Sequence, residues 1–269
     1  MRRLIAFLTD YGTRDGFVAV CHGILARSAP DTRVLDVSHD VPPQDVRHGA
    51  AVLARVAPYL PPAIYVGVVD PGVGTSRRGV ALLAGPSLLL GPDNGLLIQA
   101  AEVLGGVRRA YALTNVALWL PDVDPTFHGR DVFAPVAGHL ASGGEVGRVG
   151  EPLPPAELVR LPAPRWELAG DALTAEVTYL DRFGNVQLAG GPAELAAVGA
   201  LGTQGTVDVQ VGDLVDHAQV GRTFADVAVG ELVVYLDSDG RLALAVNCGD
   251  AGVRLNAKPG DLVRLARPT

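Results

Sequence analysis

Residues 63–82 read AIYVGVVDPGVGTSRRGVAL and contain the pattern that decides the fold. The segment opens as an apolar run typical of a buried strand, and it then reaches Asp70 and a Pro-Gly turn. Arg77 and Arg78 follow seven and eight residues after Asp70. Two interpretations fit this pattern: a solvated charge pair at the end of a strand, or a catalytic carboxylate whose charge state an arginine controls.

Strand and helix patterns alternate along the first half of the chain. RLIAFLTD, which ends at Asp10, and TRVLDVSHD are predicted strands like AIYVGVVD, and GVALLAG with SLLLGPDN is predicted to form a β pair. Helical spacing of apolar residues follows in FVAVCHGILARSA, DVRHGAAVLARVAPYL, GLLIQAAEVLGG and VFAPVAGHLASGG. This alternation predicts an α/β domain over residues 1–160 with a mostly parallel sheet.

The second half of the chain has a different pattern. Residues 161–171 are predicted to be a Pro-rich linker. Short β-rich runs follow, and DSDG between two alternating runs predicts a hairpin. Because helical patterns are scarce here, we expect a smaller C-terminal β-barrel-like domain over residues 172–269.

Composition excludes several classes of partner. Hydrophobic residues make up 48% of the 269 residues and the net charge is −7, so a core is expected and nucleic acid is not. No apolar run reaches membrane-spanning length, and the N-terminal run breaks at Asp10, too early for a signal peptide. Cys21 and Cys248 show no metal-ligand spacing, which favours a cytoplasmic protein with reduced thiols.

Polar residues end three predicted strands: Asp10, then the Ser38–Asp40 segment, then Asp70. Ligands bind at the carboxyl ends of strands in open α/β sheets, so these residues predict a cleft, although each alone also fits a cap or a turn. The first strand is followed by neither a dinucleotide fingerprint nor a P-loop. Asp10 could instead accept hydrogen bonds from both hydroxyls of a ribose.

Three further segments carry candidate site residues. DPTFHGRDVFAP places His128 before a predicted helix, where it is either a surface residue or part of the site. YLDRFGNVQL places an aromatic ring beside an amide, which suits a purine if the segment is a strand, but a hairpin with Gly184 in its turn fits equally well. YLDSDGRLALAVNCGDA adds Ser238 and Asn247, which also fit ordinary strand ends.

Eight motifs in order carry a family resemblance: FLTDYGTRDG, DVSHDVPPQDVRHGA, VVDPGVGTSRRGVAL, GPDNGLL, PTFHGRDVFAP, YLDRFGNV, TFAD and LAVNCGDA. Over nearly the whole chain the sequence resembles the S-adenosyl-L-methionine hydroxide adenosyltransferases, adenosine-forming hydrolases related to fluorinase and chlorinase. The resemblance implies an α/β domain, a β-barrel-like domain and a homotrimer whose sites lie between subunits. It also implies that S-adenosyl-L-methionine is a substrate, that no cofactor takes part, and that no membrane is a partner.

The resemblance also implies site residues. Asp70, Arg77 and His128 match the set that activates water in the family. The substrate-binding residues it implies are Asp10 for the ribose, Asp15 and Asp181 for the methionine amine, Ser238 for the methionine carboxylate, Phe183 and Phe224 for the adenine faces, and Asn185, Asn247 and the Cys248 backbone for the adenine edge.

Departures from the halogenating relatives bear on the reaction. Those relatives carry Tyr at the position of Asp70 and replace His128 and Gly129, whereas this chain does neither and lacks the long fluorinase insertion. Asp239 stands where fluorinase has Arg. Hydrolysis is therefore the predicted reaction, and a halogenase or a non-catalytic adenosyl-binding module remain alternatives.

A metallophosphatase is a further alternative. Its metal ligands would be drawn from Asp10, Asp70, Asp93, His39 and His128. No pair of these shows helical ligand spacing, and displacement at carbon needs no Lewis acid. No metal is therefore predicted in the reaction.

Overall fold

The computed structural model describes residues 4–170, 172–201 and 205–268, and the chain divides into two compact units at residues 161 and 162. Within these described ranges, every helix is too short or too polar to cross a membrane. The stretch 161–171, predicted as a linker, includes the strand Trp166–Ala169, which pairs with the strand Ala172–Leu180 of the second unit.

Seven strands form one sheet in the first unit, in the order β2-β1-β3-β5-β4-β6-β7. Pairings among β2, β1, β3 and β5 are parallel, and those among β5, β4, β6 and β7 are antiparallel. The predicted α/β class is confirmed, but the sheet is parallel in one half and antiparallel in the other and is not mostly parallel; the predicted β pair is the β4–β5 hairpin. The strands are β1 Leu4–Thr9, β2 Val34–Ser38, β3 Ala63–Val68, β4 Gly79–Ala84, β5 Ser87–Pro92, β6 Val107–Ala112 and β7 Pro152–Leu153.

Four helices cover the two faces of this sheet. Side chains alternate along β1, so Ile5 and Phe7 pack into one core while Ala6 and Leu8 pack into the other. The first core includes residues of α1 and α4, and the second includes residues of α2 and α3. The helices are α1 Phe17–Ser28, α2 Val46–Val56, α3 Ile98–Val103 and α4 Ala134–Ala141.

The parallel half of the sheet brings strand ends together. Thr9, the last residue of β1, pairs with Val68, the last residue of β3, so Asp10 and Asp70 leave the sheet at the same edge. The β2 strand also ends there, because Leu8 pairs with Ser38. This edge is the carboxyl end of the parallel strands, where ligands bind in open α/β sheets.

The second unit is a closed barrel of seven strands, in the cyclic order β10-β14-β13-β12-β11-β15-β9, with β8 added to the outside of β9. Its apolar interior is one continuous cluster of buried aliphatic side chains. The predicted barrel is confirmed, and DSDG is the turn of the β13–β14 hairpin. The strands are β8 Trp166–Ala169, β9 Ala172–Leu180, β10 Val186–Leu188, β11 Thr206–Val211, β12 Leu214–Val220, β13 Leu232–Leu236, β14 Leu242–Val246 and β15 Leu262–Ala266.

Two helices of the barrel unit were absent from the prediction: α5, Pro192–Leu201, and α6, Ala251–Leu255. Signals for both are present in the sequence. Glu194 lies in the first turn of α5 and accepts a hydrogen bond from the Gly191 N–H, and the Asp250 side chain caps α6 by accepting from Val253.

Candidate active site

Asp70 and Arg77 form a forked ion pair beside the carboxyl ends of the parallel strands. The chain reverses direction after Asp70 through a Pro-Gly turn, in which the Val73 N–H donates to the Asp70 carbonyl. Nε of Arg77 donates to both carboxylate oxygens of Asp70 at 2.9 Å, and Nη2 donates to Oδ2. Both side chains are largely buried, with 6% of Asp70 and 12% of Arg77 exposed. Charge-assisted forks of this kind are strong and directional.

His128 completes this cluster through the same guanidinium. Nδ1 of His128 lies 2.9 Å from Nη2 of Arg77. Because arginine has only donors, Nδ1 accepts this hydrogen bond, and a neutral ring then carries its proton on Nε2. Burial and, next, the positive charge of Arg77 lower the pKa of His128 below its ordinary value of 6.5. The imidazole is therefore neutral at pH 7 and offers an N–H.

A buried carboxylate fixes the segment that carries His128. A π-helix over Gly129–Phe133 follows His128 directly, a geometry that often accompanies functional sites. Asp131 within it is fully buried and accepts hydrogen bonds from Arg130 and from the Asp124 N–H. Asp131 therefore anchors this segment.

Arg78 points away from this cluster. Its guanidinium donates to the buried carboxylate of Asp93 at 2.7 and 3.0 Å and to the Glu157 carbonyl. The separation follows from the strand that begins at Gly79, since neighbouring side chains point in opposite directions. Arg77 and Arg78 therefore pair with different carboxylates, Asp70 and Asp93.

Tyr11 is a neighbour of this site that the sequence analysis missed. Its ring is mostly buried and contacts Phe17 and Phe127 edge-on. A Cβ on Gly129 would lie 2.1 Å from its hydroxyl oxygen, so the hydroxyl packs against the residue after His128. Burial, with nearby carboxylates, raises the pKa of Tyr11 far above its usual range, and the phenol stays protonated.

Asp10 and Asp15 lie in the loop between β1 and α1. Oδ2 of Asp10 accepts a hydrogen bond from the Gln44 N–H at 2.8 Å, which orients the carboxylate. Gln44 has a positive φ of 66°, a conformation that a side-chain-bearing residue adopts at a cost of about 1–3 kcal/mol. Asp15 is exposed beside the start of α1.

In the barrel unit, the segment from Asp181 to Asn185 is a hairpin turn and not a strand. Asp181 Oδ1 accepts from the N–H groups of Phe183 and Asn185, and Oδ2 accepts from the Asn185 amide at 2.7 Å. Gly184 has a φ of 80°, which the turn requires. Of the two interpretations of this segment, the hairpin is therefore the correct one. Asp181 and Asn185 bond each other, while the Phe183 ring is 77% exposed.

The other predicted binding residues of the barrel unit lie in turns and strand ends. Phe224 is 43% exposed and contacts Tyr235 edge-on, and Nδ2 of Asn247 donates to the Val227 carbonyl at 2.8 Å. Cys248 is exposed and has a positive φ of 57°. Ser238 is exposed in the turn between β13 and β14.

The residues of the metallophosphatase alternative are not gathered into one site. Asp70 and His128 both pair with Arg77, and Asp93 pairs with Arg78. Across the described ranges, no three of these five residues form a cluster with metal-ligand spacing. The geometry gives no support to a metallophosphatase centre.

An α/β unit with a carboxylate, a guanidinium and an imidazole at the sheet edge, followed by a seven-stranded barrel, defines a two-domain class. Comparison with protein families identifies this class. Residues 5–150 match the SAM hydroxide adenosyltransferase N-terminal domain, and residues 175–264 match the C-terminal domain of the same family. The chain belongs to the SAM hydroxide adenosyltransferase family.

Curated relatives resemble the chain over its whole length. It is 53% identical to an (R)-S-adenosyl-L-methionine hydrolase of Salinispora tropica, with 97% of each chain covered, and 43% identical to one of Thermus thermophilus, with 98% and 99% covered. A fluorinase of Actinoplanes is 30% identical, with 98% and 97% covered. A solved structure of an uncharacterised protein from Thermotoga maritima has a TM-score of 0.88 at 36% identity and covers 98% of this chain and 100% of its own.

Proposed function

We propose that this protein hydrolyses S-adenosyl-L-methionine to adenosine and L-methionine, as an (R)-S-adenosyl-L-methionine hydrolase. The observation that carries this proposal is the bridge that Arg77 makes between Asp70 and His128. Halogenating relatives are more distant, and they lack the Asp70 and His128 pair. The relatives at 53% identity are (R)-S-adenosyl-L-methionine hydrolases, so we infer the same preference for the R configuration in this chain.

In the proposed reaction, water attacks the ribose C5′, the bond from C5′ to sulfur breaks, and its electron pair leaves on the methionine thioether. The water's proton passes to Asp70. The incipient hydroxide is negative and the sulfonium is positive, so charge is annihilated in the transition state. A site that is shielded from bulk solvent therefore favours the step, provided that the one bound water can be deprotonated there.

The three catalytic residues then have distinct roles. Asp70 orients the water and accepts its proton, and Arg77 stabilises the developing hydroxide while it holds Asp70 in place. His128 accepts from Arg77 at Nδ1, which leaves its Nε2–H to donate a hydrogen bond to the water oxygen. The neutral ring favours this donor role over that of a proton acceptor, because protonating Nδ1 would break its bond with Arg77.

Substrate binding is proposed to follow the family pattern. Asp10 binds the ribose hydroxyls. Its Oδ2 already accepts a hydrogen bond from the Gln44 N–H, so Oδ1 is left for the ribose. Asp15 and Asp181 bind the methionine amine, and Ser238 binds its carboxylate. Phe183 and Phe224 stack on adenine, a role that their exposed rings would permit. Asn185, Asn247 and the Cys248 backbone bond the adenine edge.

We also propose a homotrimer with sites between subunits. The proposed substrate-binding residues come from both units of the chain. In such a trimer we expect subunit contacts to cover large apolar side chains that are exposed in a single chain, such as Val229 and Val253. A cytoplasmic location stays a prediction from the cysteine usage.

One incubation tests the proposed reaction. The protein is mixed with each sulfur diastereomer of S-adenosyl-L-methionine, with EDTA, and with high chloride or fluoride in parallel, and the products are separated by liquid chromatography. Adenosine and methionine in every case, formed faster from the R diastereomer, support the proposal. A 5′-halogenated deoxyadenosine as the main product would identify a halogenase. Unchanged substrate would favour a non-catalytic adenosyl-binding module.

A further inference from the structure

A cluster of two imidazoles and one carboxylate lies outside the proposed catalytic site. It contains His22 of α1, Asp36 of β2 and His39, which follows β2. One ligand atom from each residue lies within 4.8 Å of the other two, and among the described residues this is the one group of three with such spacing. Oδ1 of Asp36 lies 2.8 Å from Nε2 of His22 and 3.0 Å from Nε2 of His39.

One atom of this cluster, Nε2 of His39, is buried and has only a poorly directed contact with Asp36. The His39 side chain is 6% exposed, and its Nε2 makes no hydrogen bond even though Oδ1 of Asp36 is close, because the oxygen lies off the direction of donation. A buried polar atom without a well-directed hydrogen-bond partner is unfavourable. Because this nitrogen lies within 4.8 Å of a second imidazole nitrogen and a carboxylate oxygen, a metal ion could accept electron pairs from all three atoms.

The groups around His39 fit the surroundings of a metal-bound imidazole. Nδ1 of His39 lies 2.8 Å from the hydroxyl oxygen of Thr9, which is fully buried. Metal-binding histidines commonly donate their second ring N–H to an oxygen, which fixes the ring and directs the other nitrogen at the metal. The Phe7 ring contacts both imidazoles, at centroid distances of 5.0 Å to His39 and 6.0 Å to His22, and restricts their rotation.

An ion can reach the cluster from solvent. The side chains of His22 and Asp36 are 35% and 45% exposed. Both also line a cavity of about 420 Å³ beside the start of α1. The cluster thus has one buried ligand and two accessible ones, which leaves room for water to complete the coordination of a bound ion.

We propose that His22, Asp36 and His39 form a binding site for a divalent transition metal, with Zn²⁺ as the ion that the donor set suits. Two imidazole nitrogens and one carboxylate oxygen are ligands that Zn²⁺ accepts in a tetrahedral site, with water in the fourth position. The distances of 2.8 and 3.0 Å between these atoms are slightly shorter than such a site needs, so a small outward rotation of Asp36 accompanies binding. The bound ion links α1 to β2 beside the loop that carries Asp10.

The test measures metal content and ligand field without reference to catalysis. The full chain is freed of metal with EDTA, dialysed against Zn²⁺ and analysed by mass spectrometry, and Co²⁺ is added to a second sample for its visible absorption. We expect one Zn²⁺ per chain, intense Co²⁺ bands typical of a site with few ligands, and a higher melting temperature with Zn²⁺ but not with Mg²⁺.

Variants assign the binding to this cluster. Asp36→Asn and His22→Ala change exposed positions and are expected to fold, but to lose the stoichiometric Zn²⁺ and the Co²⁺ bands. Thr9→Val keeps the side-chain shape and is expected to weaken binding ~10–100-fold. His217→Ala is the matched control, because His217 also bonds an aspartate, Asp208, but lies outside the proposed site.

Two results would overturn the proposal. One is the absence of saturable Zn²⁺ binding by the unaltered chain. The other is binding that survives in both Asp36→Asn and His22→Ala, or that His217→Ala removes to the same extent, since the ion would then lie elsewhere on the surface.

Discussion

Arg77 and His128 are 51 positions apart in the sequence, yet Nη2 of Arg77 donates a hydrogen bond to Nδ1 of His128 at 2.9 Å. The same guanidinium binds Asp70 through its Nε and Nη2. Arg77 thus determines the orientation of two side chains that differ in charge. Removing any one member of this cluster is expected to affect the reaction differently, which makes the proposed roles testable.

Asp70→Asn is expected to separate chemistry from binding. The amide keeps the shape of the side chain but cannot take the water's proton, so single-turnover rates should fall by ~10²–10⁴-fold. Affinity for S-adenosyl-L-methionine in calorimetry should change little, because Asp70 is proposed to contact the water. Full turnover in Asp70→Asn would exclude Asp70 as the base.

Arg77→Lys and Arg78→Lys form a matched pair. Lysine cannot reproduce a planar fork, so Lys at 77 should lose the bridge from Asp70 to His128 and lower kcat by about 10²–10³-fold. Arg78 pairs with Asp93 instead, and Arg78→Lys should keep kcat close to that of the unaltered protein. Equal losses of kcat in the two variants would mean that the effect is structural.

Asp10→Ala is expected to weaken binding. The ribose loses a charged acceptor, which corresponds to roughly 1.5–3 kcal/mol of binding free energy. Asp10→Asn keeps an acceptor for the Gln44 N–H and should show a smaller loss. Calorimetry and single-turnover rates at saturation measure the two effects. A lower rate at saturation with unchanged affinity would contradict the ribose role.

The decline of kcat/KM at low pH is expected to reflect protonation of His128. Burial and Arg77 lower the pKa of His128 below 6.5, although Asp70, Asp131 and Asp124 act in the opposite direction. Because the folded state favours the neutral ring, the associated stability is fully present above pH 6.5 and is lost as the pH falls through the lowered pKa. Protonation also removes the acceptor for Arg77, so kcat/KM should decline below pH 6.5.

His128→Gln tests this assignment. Glutamine can accept from Arg77 and still donate an N–H, so the variant should keep part of its activity but lose the acid decline. His48 also has a pKa lowered by burial, and His48→Gln should leave the profile of kcat/KM unchanged. If the decline persists in His128→Gln, another group is responsible for it.

The proposed trimer predicts that activity per chain depends on protein concentration. If sites form between subunits, activity per chain should fall on dilution below the dissociation constant of the trimer and return when the sample is concentrated. Light scattering on the same samples reports the mass. A monomer with full activity would contradict the shared site.

Local sequence pattern was sufficient to predict most of the strands and helices and the contacts between residues close in the sequence. The strand before Asp70 and the turn after it predicted that Arg77 faces Asp70, since only seven residues separate them. The contact of His128 with Arg77 depends on the packing of α4 and its π-helix on the sheet, which no local pattern encodes. His128 could therefore be assigned to the site only through the family resemblance.

Other features could not be decided locally. The segment from Asp181 to Asn185 has both the alternation of a strand and the glycine of a turn, and its hydrogen bonds are those of the turn. Tyr11 could not be placed beside His128 from its sequence context, because its contact with Gly129 joins residues far apart in the chain. His22 is one turn into an ordinary amphipathic helix, and its partners, Asp36 and His39, are on another element.

By itself, the sequence determined the α/β unit, the barrel and the family, and it placed Arg77 within reach of Asp70, because strand periodicity, turn chemistry and short separations act within a few residues of each other. Only the tertiary structure decided that one guanidinium serves both Asp70 and His128, that Arg78 serves a different carboxylate, and that His22 meets Asp36 and His39. These contacts join elements far apart in the chain, and their geometry follows from how helices pack on the two faces of the sheet.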